Sequence, residues 1–109
     1  MLLIIWIASM ITALSAAHAE GGIASQYGRS SGSNVSCGGK LNEGALTAAH
    51  KTLPCGAKVK VQNKSNGKSV TVTINDRGPF VRGRVIDLTP AAARALGFSG
   101  LAKVNISRE

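Results

Sequence analysis

The chain has 109 residues, 44% of them hydrophobic, with Lys+Arg 13 against Asp+Glu 5 and a formal net charge of +8. That length suits a single domain and excludes doubly wound dinucleotide-binding folds and barrels of alternating strands and helices, which need far more chain. The charge points to an anionic partner, yet aromatics at 4% are too few for a platform that stacks single-stranded nucleic acid.

Leu2 to Ala17 is nearly all apolar, interrupted only by Ser9, Thr12 and Ser15, and the first formal charge is Glu20. Ala17-His18-Ala19 fits the small-x-small pattern before a signal peptidase cut, and the run is shorter than the about 20 residues of a bilayer span. Residues 1–19 are therefore expected to be a secretory leader, and 20–109 the exported domain, periplasmic or secreted. No Lys or Arg precedes the apolar run, so an uncleaved membrane anchor is the alternative. No Cys follows the run to carry a lipid, and membrane contact is expected only through the leader.

The exported part reads mostly as short strands. Ile23 to Tyr27 is apolar at alternate positions, and Arg29 to Gly44 is a Gly-, Ser- and Asn-rich loop. Ala45 to His50 is a compact apolar run. Val59 and Val61 alternate with Lys58, Lys60 and Gln62, and Val70, Val72 and Ile74 alternate with Thr71 and Thr73. With Asn66-Gly67 between them, Lys58–Asn63 and Lys68–Asn75 should form a hairpin. Val85 to Leu88 is a further strand. Thr89 caps a helix whose first residue is Pro90, whose body is Ala91 to Leu96 and whose stop is Gly97. Leu101, Val104 and Ile106 supply the last strand. About six short strands and one helix suggest a compact β-barrel, closed to hide its edges.

After the leader, the one histidine is His50 and the acids are Glu20, Glu43, Asp76, Asp87 and Glu109. Glu20 and Glu109 fall at the expected termini, where fraying is the default. Acid–base chemistry is thus narrowed to His50, Glu43, Asp76 and Asp87. Cys37 and Cys55, an even count in a small exported domain, favour a disulfide, with two buried free thiols as the alternative. Two thiols and one histidine fall short of a four-ligand metal site, and no metal or other cofactor is expected.

Asn75-Asp76-Arg77-Gly78-Pro79-Phe80 places an acid and a guanidinium where a strand gives way to a turn, a loop position typical of chemistry. The competing reading is a surface ion pair, or a turn in which Asp76 caps backbone amides. Asp87, amid the apolar neighbours of Val85-Ile86-Asp87-Leu88, must be hydrogen-bonded, charge-paired or protonated if it faces inward. His50 closes Leu46-Thr47-Ala48-Ala49-His50, where a satisfied structural histidine is the alternative.

These strings, with Lys51-Thr52-Leu53-Pro54, Gly83-Arg84 before the Val85 strand, and the opening Gly22-Ile23-Ala24-Ser25-Gln26-Tyr27-Gly28, resemble the RlpA family of septal lytic transglycosylases. The resemblance runs from Gly22 to about Ile106, in the family's order and spacing. It implies a mainly β fold, a six-stranded double-psi β-barrel with one or two short helices. The implied partner is the glycan strand of peptidoglycan, stripped of stem peptides and cut between N-acetylmuramic acid and N-acetylglucosamine without water. Ordinary glycosidases need two carboxylates around a water or a covalent intermediate. In the implied reaction the muramyl primary hydroxyl closes on its own anomeric carbon, so one acid–base carboxylate with a polar helper suffices.

By the same resemblance Asp76 would be the acid–base residue, with its pKa raised by burial or by a like charge such as Asp87. His50 would be its neighbour across the groove and Asp87 a further acid in the site. Tyr27, Arg77 and Glu43 would lie on the substrate side, with Arg77 serving substrate carboxylates or the loop. One position departs from the family pattern. The usual acid eleven residues before the histidine is Gly39 here, within a loop that carries Cys37, and Glu43 follows four residues later. The accessory peptidoglycan-binding repeat of many relatives is not seen, so targeting to division sites is not implied. A non-catalytic, expansin-like wall-binding module is therefore the second function to weigh. A nucleic-acid-binding domain, the third, is opposed by export and by the lack of an aromatic or helical reading element.

Overall fold

A computed structural model describes residues 19–27 and 34–109; the expected leader lies outside them except for Ala19. Six strands close into a barrel in the order β1-β5-β2-β4-β3-β6. They are β1 (Ala19–Gln26), β2 (Thr47–Ala49), β3 (Lys58–Asn63), β4 (Ser69–Asp76), β5 (Arg84–Leu88) and β6 (Leu101–Arg108), with α1 (Pro90–Leu96) between the last two. β1 runs parallel to β5 and β2 parallel to β4, while the other neighbouring pairs are antiparallel. Closure gives every strand a neighbour on both sides and so hides most of the edge that an open sheet of this size would expose. Among the described residues no helix is long and apolar enough to cross a membrane.

The hairpin forms where the alternation places it. Val59, Val61 and Val72 are buried while Lys58, Lys60 and Gln62 are exposed, and Val59 faces Val72 across the β3–β4 ladder. Its turn needs Gly67, whose φ of 79° lies in the left-handed region. Helix α1 starts as its caps dictate. The Thr89 hydroxyl accepts from Ala92 N–H at 3.3 Å and donates to the Ala45 carbonyl at 2.6 Å, tying the helix to the segment before β2. Gly97, at φ 77°, ends it. Ala92 and Leu96 then close one side of a core built on Ala24, Ala48, Ile74, Ile86 and Leu88.

Strand β1 differs from the sequence expectation by starting at Ala19 and running through two glycines. The reason is tertiary: β1 pairs along its length with β6, from Ala19↔Ser107 to Ser25↔Leu101. The terminal acids are accordingly ordered, a correction to the expected fraying: Glu20 sits in β1 and Glu109 accepts a hydrogen bond from Thr71 Oγ1 at 2.9 Å. Glycine is required at position 22, because a Cβ there would lie 2.4 Å from Val85 Cγ1. Val85 is β-branched and has little freedom to rotate away. Gly22→Ala should lower stability by about 1–3 kcal/mol in denaturant unfolding; an unchanged midpoint would contradict this packing.

Candidate active site

Strand register assembles the site. Ser25 faces Asp87 across β1 and β5, Ala49 faces Asp87 across β2 and β5, and Ala49 faces Asp76 across β2 and β4. Cross-strand partners share a sheet face. Ser25, Asp87, Ala49 and Asp76 therefore form one row over four strands, on the face opposite the core residues Ala24, Ala48 and Ile86. Asp76 joins the row through a bulge. Ala48 pairs with Ile74 but Ala49 pairs with Asp76, so Asn75 is the extra residue that re-aims the carboxylate. Two strand spacings separate the acids, about 10 Å between Cα atoms.

Among the described residues, three hold the Asp76 carboxylate by hydrogen bonds. Tyr27 Oη donates to Oδ2 at 2.8 Å, while Ser36 N–H and Arg77 N–H donate to Oδ1 at 2.8 and 2.9 Å. Ser36 belongs to a tight turn closed by the Asn34↔Lys40 bridge. The Cys37–Cys55 disulfide, with Cα atoms 5.8 Å apart, pins that turn to the loop after β2. Cys37 N–H also donates to the Asn75 carbonyl at 3.1 Å. The expected bridge is thus present, and it positions a backbone donor on Asp76.

The other candidates fall in different places. Arg77 does not ion-pair with Asp76: its Nη1 donates to the carbonyls of His50 at 2.8 Å and Leu53 at 2.6 Å, and Nη2 lies 3.8 Å from Cys55 Sγ. Its guanidinium staples the loop, one of the two roles expected for it. The His50 ring is 6% exposed, and its Nδ1 accepts from Thr52 N–H at 3.1 Å and Leu53 N–H at 3.0 Å. That assigns the ring proton to Nε2, which donates to Glu20 Oε1 at 3.0 Å. Among the described residues no hydrogen bond joins the ring to the Asp76 carboxylate; the two residues meet through His50 N–H and the Asp76 carbonyl at 3.1 Å. Glu43 gives its carbonyl to Ala91 N–H at the start of α1. The sequence reading gave no role to Ser25, although it lies in the opening family-like string, or to the Ser36 amide, and it set Glu20 aside as a fraying terminus; their partners come from distant strands and turns. It also passed over Phe80, 80% exposed on the loop that follows Asp76.

A family model described as lytic transglycolase matches residues 19–107. The chain belongs to that family. Among its relatives is the probable endolytic peptidoglycan transglycosylase RlpA of Synechocystis sp., 57% identical over 88 residues, which cover 78% of this chain and 27% of that protein. The chain thus spans about a quarter of that relative's length. Two solved structures share the barrel at lower identity. A mutant Clavibacter michiganensis expansin in complex with cellohexaose has a TM-score of 0.64 at 20% identity, over 84% of this chain and 50% of that one. The Streptomyces papain inhibitor has a TM-score of 0.67 at 22% identity, over 84% and 94%. The fold is the double-psi β-barrel of these neighbours.

Within this barrel the two acids are tuned apart. Burial pushes Asp76 up, but hydrogen bonds from Ser36, Tyr27 and the Arg77 amide outweigh it and leave the carboxyl below its ordinary value. Asp87 is held above its ordinary value, chiefly by burial and further by the Asp76 charge, against the Ser25 hydrogen bond and the Arg84 charge. Burial, the Asp76 hydrogen bond and both acid charges keep the Tyr27 hydroxyl protonated. The sequence asked for a raised carboxyl at Asp76; the structure gives that property to Asp87, because burial dominates there while, among the described residues, backbone amides donate to Asp76.

A stability prediction follows from Asp87. Its folded-state pKa lies above the unfolded value, so its charged form weakens the fold at neutral pH, and that penalty is relieved as pH falls through the folded pKa. Asp87→Asn should raise the melting temperature at pH 7 by a few degrees, and the gain should vanish in acid, where Asp87 is protonated in both states. A melting temperature lowered at pH 7 and equally lowered in acid would overturn it.

Where the family's usual acid would stand, Gly39 adopts φ 90°, and a Cβ there would meet nothing within 4 Å. Its carbonyl accepts from Val35 N–H at 3.0 Å and helps close the turn that carries Ser36. At this point the loop contributes an amide to Asp76 rather than a second carboxylate.

Proposed function

We propose that the chain is the catalytic barrel of an exported lytic transglycosylase, acting on peptidoglycan strands that lack stem peptides. The observation that carries this reading is the row Ser25–Asp87–Ala49–Asp76, with one carboxyl held down by hydrogen bonds and the other held up by burial. Such a split between two acids suits one as proton acceptor and the other as donor. The RlpA relative supports the choice of substrate.

Asp76, ionised in the free protein, takes the proton of the muramyl primary hydroxyl. That oxygen forms a bond to its own anomeric carbon while the bond from this carbon to the N-acetylglucosamine oxygen breaks. Asp87, charged in the free protein but shifted toward protonation by its burial and buried further beneath a bound sugar, takes up a proton in the complex and gives it to the leaving oxygen. No water is consumed, and the product carries a 1,6-anhydro end. Tyr27 keeps its proton and holds Asp76 in place between turnovers. Phe80, exposed on the loop that follows Asp76, offers an aromatic face to a sugar ring. The lactyl carboxylates of peptide-free strands match the chain's net charge of +8.

The test is incubation of the purified protein with peptide-free glycan strands, with fragments scored by mass. Anhydro-ended fragments are the expected product; hydrolysed reducing ends, or no fragments at all, overturn the reading. Gly39 favours one alternative, a wall-binding module of the expansin kind that loosens without cutting. That alternative predicts retention on cell-wall sacculi together with an absence of fragments.

A further inference from the structure

The His50 ring has both nitrogens committed within the fold. Nδ1 receives two successive backbone amides, from Thr52 and Leu53, and so shapes the turn that leaves β2. Nε2–H is oriented by Glu20, which comes from the first strand, 30 residues earlier in the chain. The same turn supplies the carbonyls of His50 and Leu53 to the Arg77 guanidinium. Arg77 in turn gives its own amide to Asp76 Oδ1. A continuous path therefore runs from Glu20 through the imidazole and the 50–53 turn to Arg77 and the Asp76 carboxylate. A ring that accepts two amides on Nδ1 cannot take a proton there without breaking them. Its use as a proton carrier would dismantle the turn that holds the site.

We propose that His50 is a positioning residue, oriented by Glu20, that fixes the 50–53 turn and through Arg77 sets the place of Asp76. This rests on the transglycosylase reading for its activity measurements alone; the geometric part is read separately. Glu20 is then the acid that serves the histidine in a chain with glycine at position 39.

The experiment pairs kinetics with amide exchange and imidazole nitrogen spectra on the purified wild-type protein and four variants. Wild type should show the Nε2–H tautomer and slow exchange at Thr52 and Leu53. Glu20→Ala should speed that exchange and lower kcat about tenfold with little change in KM, the scale of one lost hydrogen bond. Glu20→Gln, which keeps an acceptor, should restore most of both. His50→Ala should lose amide protection and activity together. His50→Asn, whose side-chain oxygen can accept the same amides as an Asx turn does, should recover much of each.

Three results overturn the proposal: fast exchange at Thr52 and Leu53 in wild type, an unaltered kcat in Glu20→Ala, or a His50→Asn protein with protected amides as inactive as His50→Ala. The last would make the imidazole a participant in the reaction itself. If wild type cuts no glycan, the functional reading fails, while the tautomer and exchange data still decide whether Glu20 and His50 hold the turn.

Discussion

Asp76→Asn is expected to lower the release of anhydro-ended fragments about a thousandfold, the usual scale for removing a positioned acid–base group. The substitution keeps the shape of the side chain. An amide oxygen can still accept from Ser36 and Arg77, so the loop and the barrel should survive. What disappears is the ability to take a proton from the sugar hydroxyl, together with the negative charge facing an anomeric centre that becomes positive as its bond breaks. Stability should fall by only about 1–2 kcal/mol, because charge-assisted hydrogen bonds become neutral ones.

The pH dependence separates this from simple misfolding. The wild-type carboxyl is held below its ordinary value, so its contribution to stability is present above the unfolded pKa and is lost as pH falls through the folded one. The wild-type and Asp76→Asn melting temperatures should therefore differ at neutral pH and converge in acid. Fragment release unchanged in the variant would remove Asp76 from the chemistry. Melting curves that stay apart in acid would show that its carboxylate does not owe its stability to ionisation.

Loss of the Cys37–Cys55 disulfide should have the largest effect on the fold. The bridge spans a sequence separation of 18, and cross-linking a loop of that size removes unfolded-state freedom worth about 3 kcal/mol. That is a large share of the net stability of a domain this small. The effect extends to the site, because the bridge holds the 34–40 turn against the loop after β2, and the Ser36 amide of that turn binds Asp76. Cys37→Ser with Cys55→Ser should therefore unfold at lower denaturant and also cut glycan more slowly under conditions where it remains folded. Reductant should reproduce both effects in wild type and neither in the double variant. A midpoint insensitive to reductant, with free thiols confirmed, would sink this account.

The residues made unequal parts of the molecule legible. The β3–β4 hairpin and α1 follow from rules that act over a few positions: valines at every second place, an Asn-Gly turn, a threonine cap before Pro90 and a glycine after Leu96. The small set of acids and the single histidine of residues 20–109 could be read by elimination, and the cysteine pair by its even count. The start of β1 could not be read, because Gly21 and Gly22 disfavour a strand by themselves. They are recruited by the β6 ladder and by the close approach of Val85.

Composition and short-range pattern by themselves determined a small, basic, mainly β domain with one capped helix, one disulfide and a short list of candidate acids. These features depend on what each residue is and on its near neighbours in the chain. Only the tertiary structure decided which acids share a face, through the pairing of Ser25, Asp87, Ala49 and Asp76 and the bulge at Asn75. It alone decided that the Arg77 guanidinium binds carbonyls rather than the Asp76 carboxylate, and that Glu20 meets His50. It also placed Asp76, expected to be raised, below its ordinary value, and raised Asp87 instead. A carboxyl's pKa is set by the donors, charges and burial around it, and here those come from strands and turns far apart in sequence.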